Sequence, residues 1–349
     1  ITIGQRVINY GAGDAFTDMY VALYNDGTLV FSNKNDFDES KIVENGNFGN
    51  IKDEDYELIW TEEEPYIDLE KAPPWFKLVL EGTTLSSIEF ASEIVPNNTN
   101  IGNIFIGLDI IGVKIEVKNI ENLNTSNITN MSNMFSYSSI TNIDLSGLDL
   151  SNVTDMSEMF SYSSITNVDL SGSDLSSVTD MSSMFNNSKV VSVDFSNSDT
   201  SNVTGMTSMF YACSRLTNVN LTGIDTSKVM SMSNMFAYCS QLTNLDVSPL
   251  DTSNVTDMMG MFFDCISLEN INVSNFNTSK VTDMLNMFNG CTKLTNLDVS
   301  NFDVTNMINN PNGVEGMFRD ITIPITISSA WTEEMQKSTS YKGSGFVIK

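Results

Sequence analysis

Phe210-Tyr211-Ala212-Cys213-Ser214-Arg215-Leu216-Thr217-Asn218-Val219-Asn220-Leu221-Thr222-Gly223-Ile224-Asp225-Thr226-Ser227-Lys228-Val229-Met230-Ser231-Met232-Ser233-Asn234-Met235 is one copy of a phrase that recurs along this chain. A Met-Phe pair marks each copy, and its eight methionines are Met134, Met159, Met184, Met209, Met235, Met261, Met287 and Met317. The steps between them are 25, 25, 25, 26, 26, 26 and 30 residues. A period of that size predicts coils stacked side by side, each too small to bury its apolar face alone.

Within one copy, Leu216, Val219 and Leu221 follow Leu-x-x-Val-x-Leu. Val219 and Leu221 share one side of an extended chain and Asn218 and Asn220 the other, which predicts one short strand per copy. Thr222-Gly223 turns the chain. The period then changes. Val153, Met156, Met159 and Phe160 fall at offsets of 0, 3, 6 and 7, the stripe of a short helix, partly 3-10, with Thr154 as its N-cap. The expected fold class is therefore an α/β solenoid. It stacks short parallel strands, about 4.8 Å apart, against short helical segments. Helices are wider than strands, so the strands are expected on a concave face.

Cys213, Cys239, Cys265 and Cys291 are 26 residues apart, each three residues after a Phe of the pair. Ser138 and Ser163 hold that place in earlier copies. Stacking sets equivalent residues one strand spacing apart, slightly too far for a disulfide, so an internal ladder of free thiols is expected. The even spacing also excludes a zinc site of C-x-x-C type. Met131, Met156, Met181, Met206, Met232, Met258 and Met284 make a second apolar column, read as core.

The phrase Phe210-x-x-Cys213-x-x-Leu216-x-x-Val219-x-Leu221, with Asp251-Thr252-Ser253-Asn254-Val255-Thr256-Asp257-Met258 in the next copy, resembles the BspA-type leucine-rich repeat surface proteins. It is most similar to their mycoplasma lipoprotein and firmicute surface-protein branch, over about residues 118–320. The resemblance implies an extracellular α/β solenoid that adheres to host proteins, matrix or other cells. It carries over no catalytic residues. The 30-residue step before Met317, with Asn309-Asn310-Pro311-Asn312-Gly313 inserted, departs from the pattern and questions the regularity of the last coil.

Residues 1–95 lack the repeat and read as a small β-rich domain. Tyr20–Tyr24 and Thr28–Phe31 flank Asn25-Asp26-Gly27, a hairpin signal. Trp60 and Trp75 are assigned to its core. Residues 96–120 read as a junction and N-terminal cap, with Val113–Val117 as a strand covering the first open edge. Residues 121–320 hold the eight copies. Residues 321–349 form a C-terminal cap or tail in which Ile321-Thr322-Ile323 and Trp331 cover the other end.

Composition narrows the function. The 349 residues carry 44 acidic against 17 basic side chains, a formal charge of −27, which repels nucleic acid and anionic membrane. There is no His, which excludes His-based triads and metal sites. Only Arg6, Arg215 and Arg319 represent arginine, so a multi-arginine phosphate clamp is not expected. The apolar run from Ile101 to Val117 is broken by Asn103, Asp109 and Lys114 and is not expected to enter a membrane. A start at Ile1 without an initiator Met reads as a processed or partial product, with any export signal or anchor outside it. The densest carboxylates, Asp53, Glu54, Glu62, Glu63 and Glu64, form a solvated charge run with no nucleophile–base spacing beside it.

The remaining candidates are the outward strand residues. One column is Asn142, Asn167, Ser192, Asn218, Asn244, Asn270 and Asn296; its neighbour is Asp144, Asp169, Asp194, Asn220, Asp246, Asn272 and Asp298. Amides that both donate and accept suit sugars, and a line of carboxylates suits a basic protein patch. The plainer reading makes them a solvated ladder that blocks lateral aggregation. The expected function is a non-enzymatic extracellular module, on a cell or virion surface, that binds a protein or glycan of a host or neighbouring cell. No cofactor is expected beyond weak calcium. The alternative is a structural or decoration component of a large assembly, such as a cell envelope layer or phage particle.

Overall fold

The computed structural model describes residues 20–34, 36–50, 85–96, 99–102, 104–105 and 115–349. Trp60, Trp75 and the carboxylate run at 53–64 lie outside the described residues. The chain divides into two units, Ile1–Ile165 and Thr166–Lys349, each taken by itself below.

The first unit opens with the hairpin read from Asn25-Asp26-Gly27. Strands β1 (Tyr20–Tyr24) and β2 (Thr28–Ser32) pair antiparallel with Leu23 opposite Leu29. Gly27 takes φ 85°, and Asp26 Oδ1 accepts the Thr28 amide at 2.9 Å, so the turn is closed by its own residues. Strand β3 (Ile42–Asn50) lies on the outer side of β1. On the other side β2 pairs in parallel with β4 (Ser87–Phe90), and β4 with β5 (Glu116–Lys118), giving the order β3-β1-β2-β4-β5.

Parallel pairing at β4 starts the coil earlier than the repeat phrase does. Ile94 bridges to Leu123, Asn100 to Asn130, and Asn130 to Asp155, a rise of 29, 30 and 25 residues per turn. The Phe105 ring stacks on Phe135 at 5.2 Å, and Phe135 on Phe160 at 5.4 Å. Asn100-Ile101-x-x-Ile104-Phe105 is thus a coil equivalent to Asn130-Met131-x-x-Met134-Phe135, with Ile in place of Met.

In the second unit, β6 (Asn167–Asp169), β7 (Ser192–Asp194) and β8 (Asn218–Asn220) pair in parallel, with Val168, Val193 and Val219 in register. Strands β9 (Asn244–Leu245) and β10 (Asn270–Ile271) continue the arrangement in a pair of their own. A third parallel group holds β11 (Leu297–Asp298), β12 (Ile325–Ile327) and β13 (Phe346–Ile348). The open edge of β11 is therefore covered by Ile325–Ile327 and then Phe346–Ile348, rather than by Ile321-Thr322-Ile323. Trp331 packs against Phe318 at 5.6 Å, beside the six-residue helix α1 (Glu333–Ser338), which Thr332 caps by accepting the Met335 amide.

The expected short helices are absent. Across the Met-Phe segment, amide donors alternate between two partners. Those of Met181, Ser183, Phe185 and Asn187 donate to Gly205, Thr207, Met209 and Tyr211 in the next coil. Those of Met184, Asn186 and Ser188 close local turns onto Met181, Ser183 and Phe185. Ser183 and Asn187 each take φ 56°, which breaks helical propagation every four residues. The cause is pitch. Phe185, Phe210, Phe236, Phe262 and Phe288 stack at 5.2, 5.3, 6.0 and 5.4 Å, close to the strand spacing. Helices side by side need about 8–10 Å. A chain of linked turns is one backbone thick and matches its strands. The width difference behind the expected curvature is therefore missing from these segments.

Thr154 is likewise not an N-cap. Thr154 Oγ1 donates to the Thr129 carbonyl at 3.0 Å, and in the second unit Thr204, Thr256 and Thr282 donate in the same way to the preceding coil. The Thr of Asp-Thr-Ser makes a third rung. Thr226, 1 % exposed, donates to the Asp251 carbonyl at 2.9 Å, and its oxygen accepts the Asp251 amide at 2.8 Å. Thr200, Thr252 and Thr278 repeat the arrangement.

All four cysteines are free and buried, as the spacing predicts. Each thiol donates to a phenylalanine carbonyl of the preceding coil: Phe185, Phe210, Phe236 and Phe262, at 2.9–3.2 Å. Burial pushes the Cys213 and Cys265 thiols up to about 12 and those of Cys239 and Cys291 well above the usual range. The insertion before Met317 is absorbed by 3-10 turns at Thr305–Met307 and Pro311–Val314, and the Phe288 amide still reaches the Met317 carbonyl. The last coil keeps its register. Among the described residues no helix is long and apolar enough to cross a membrane.

Candidate functional site

Alternation along each strand puts the Val or Leu inside and leaves its two neighbours outward. The outward columns stand as the sequence reading places them: Asn167, Ser192 and Asn218 are in register, as are Asp169, Asp194 and Asn220, and Asn244 with Asn270. Within the first column Asn270 Nδ2 donates to Asn244 Oδ1 at 3.1 Å, and Thr295 Oγ1 donates to Asn270 Oδ1 at 3.1 Å. Ser192 Oγ donates to Asn167 Oδ1 at 2.7 Å. The amides are oriented by one another and by neighbouring hydroxyls before any partner arrives.

The second column has a local task. Asp144, Asp169, Asp194, Asp246 and Asp298 each accept, through Oδ1, the amide of the serine two residues on. This Asx-turn closes the bend after the strand. It also holds charge: the hydrogen bonds from Ser146 and Ser248 keep the Asp144 and Asp246 carboxyls below the usual range. Burial works against ionisation of Asp298, but bonds from Lys349 and Ser300 outweigh it and bring the group to about 2. Lys349 Nζ lies 2.7 Å from Asp298 Oδ2, a bond across 51 residues that no spacing in the sequence signals.

A groove of about 440 Å³ runs over the middle of this face. Asn218, Asn244, Asn270 and Asn296 form one side, and Asp246 and Asn272 the other. Its floor is Val219, Leu245 and Ile271, at 7, 7 and 9 % exposure. The structure thus brings together six of the predicted residues, Asn218, Asn244, Asp246, Asn270, Asn272 and Asn296. Asn167, Asp169 and Asp194 stand on β6 and β7, outside the groove lining, and Asp298 is held by Lys349. Asn142 and Asp144 belong to the first unit and are exposed there. Sequence reasoning missed the apolar floor, because strict alternation assigns those three side chains wholly to the core.

Asp246 is the only carboxylate lining the groove among the described residues, so its chemistry is chiefly amide on hydrocarbon. Such a surface can hold a peptide backbone or sugar hydroxyls by paired donors and acceptors over an apolar base. No three His, Cys, Asp or Glu side chains come together as a metal site among the described residues.

The family described as "Mycoplasma protein of unknown function, DUF285" matches the chain over residues 99–222 and again over 206–328. Among solved structures, a leucine-rich repeat protein from Eubacterium ventriosum is similar over 92 % of this chain and 87 % of that one, at 14 % identity and a TM-score of 0.38. No curated protein matches.

Proposed function

The chain belongs to the DUF285 family, and from that premise we propose that it is a non-enzymatic recognition module of a cell surface, holding a protein or glycan partner on its strand face. Membership agrees with the BspA-type resemblance of the repeat phrase. The observation that carries the proposal is the groove over β8, β9 and β10, where oriented amides flank an apolar floor. A merely solvated ladder needs no such floor, since its side chains would stand off a flat sheet. The acidic balance of the whole chain favours partners with a neutral or basic contact surface.

The test is binding of the intact chain to host cells, extracellular matrix and a glycan array, with and without calcium. Asn244→Lys with Asn270→Lys fills the groove with long charged side chains at exposed positions and leaves the coil intact. Saturable binding that this pair weakens at least about tenfold is the expected result, since it places two desolvated charges in the contact. Binding indifferent to the substitutions rejects the groove. A fixed stoichiometry in a purified particle, without such binding, replaces recognition by the assembly alternative.

A further inference from the structure

The C-terminal end carries a surface of opposite sign. Arg319, Lys337 and Lys342, all exposed, line a concavity of about 720 Å³ together with Thr322 and Ser340, and Asp320 borders it. The scaffold is held from several sides. The Arg319 carbonyl accepts the Gly290 amide, and the Arg319 amide donates to Gly316, fixing the last Met-Phe turn. Tyr341 Oη donates to the Ile323 carbonyl at 2.6 Å and accepts the Gly345 amide at 3.1 Å, which pins the segment bearing Lys342. Ser344 bonds the Thr322 carbonyl through both its amide and its hydroxyl.

The cations have little protein company. Among the described residues neither Arg319 nor Lys342 has an ion pair or a side-chain hydrogen bond, and Lys337 lies 3.9 Å from Glu333, with both side chains more than three-quarters exposed. Elsewhere in this unit Lys349 pairs with Asp298, and Lys228 and Lys280 bond asparagines of the preceding coil, while Arg215 and Lys293 stand without such partners among the described residues. In a chain with 44 acids and 17 bases, three cations around one cavity, two of them without a side-chain partner among the described residues, mark a place where negative charge is accepted.

The geometry points to a binding site for a phosphate or sulfate ester on a compact, sugar-sized molecule, separate from the strand-face groove. An arginine fork and two ammonium groups match a tetrahedral oxyanion. The volume is room for on the order of twenty waters, far more than the anion alone, and falls within the usual range of small-ligand pockets. The charge of −27 repels a long polyanion while leaving a single ester group free to approach. This selects small esters over nucleic acid or heparin-like chains.

The test is an amide-resolved NMR titration of the full chain at physiological salt with glucose 6-phosphate, glucose 6-sulfate, glucose and inorganic phosphate. Saturable shifts confined to residues 319–322 and 337–342 are expected with both esters and not with glucose. Arg319→Gln, Lys337→Gln and Lys342→Gln together weaken ester binding at least about tenfold, as loss of charge-assisted bonds requires. The control Lys228→Gln, Lys280→Gln and Lys293→Gln removes the same charge elsewhere and leaves it within about twofold; unchanged spectra away from each site show that both variants fold. No saturation by about 10 mM, beyond the millimolar range of weak specific binding, overturns the proposal. So does equal binding of glucose, or equal loss in the control. Inorganic phosphate binding as tightly as the esters overturns the sugar-sized class.

Discussion

Thr226→Val isolates the rung that joins one coil to the next in the second unit. Valine has nearly the shape of threonine, so packing is conserved at a site 1 % exposed. What is lost is a reciprocal pair: Oγ1 to the Asp251 carbonyl at 2.9 Å and the Asp251 amide to Oγ1 at 2.8 Å. A buried hydrogen bond contributes about 1 kcal/mol net, and an orphaned backbone group costs about 1–3 kcal/mol. Asp251 has an exposed side chain, so water partly re-solvates its backbone, which sets the expectation near the low end, about 2–3 kcal/mol. For a unit of this size that is a fall in Tm of about 5–10 °C. Thr226→Ser keeps both bonds and loses one methyl group, about 1 kcal/mol. Calorimetry of the three proteins, with hydrogen exchange at the Asp251 amide, reads the difference: protection there collapses in the valine variant and persists in the serine variant. If valine is as stable as threonine, or serine as harmful as valine, the rung does not hold the coils together.

Phe236→Ala removes a ring stacked between Phe210 and Phe262, and large-to-small changes of this kind cost about 3–5 kcal/mol; urea unfolding checks it, and a cost under about 1 kcal/mol refutes the continuous stack in this unit. The Asp298 carboxyl is lowered to about 2 by Lys349 and Ser300 against the opposing effect of burial, so its contribution is present above about pH 4 and is lost as pH falls toward 2. Lys349→Gln accordingly shifts the acid-unfolding midpoint to higher pH, and an unchanged midpoint contradicts the bond. The four thiols, buried and raised in pKa, react with a disulfide reagent only after denaturant is added; stoichiometric labelling of the native chain within minutes contradicts the ladder.

The coil was legible wherever one residue type returns at one interval. The cysteines, the Met columns and the Val, Leu or Ile of each repeat strand are buried in the places their spacing implies. The first coil was not, because Ile101, Ile104 and Phe105 carry the pattern with Ile for Met and a step of 30 residues. In the candidate site, the Asp-x-Ser pattern of Asp144-Leu145-Ser146 and its counterparts was a readable signal that each carboxylate closes its own turn. The partnership of Lys349 with Asp298 had no such signal.

Periodicity by itself determined which residues are equivalent and which face inward, because repetition and alternation are properties of order along the chain. It could not decide between a helix and a run of turns, since offsets of 0, 3, 6 and 7 satisfy both. That choice belongs to the tertiary structure. Coils that stack at 5.2–6.0 Å leave no width for helices, and the amides a helix would have used internally are needed to bond the next coil.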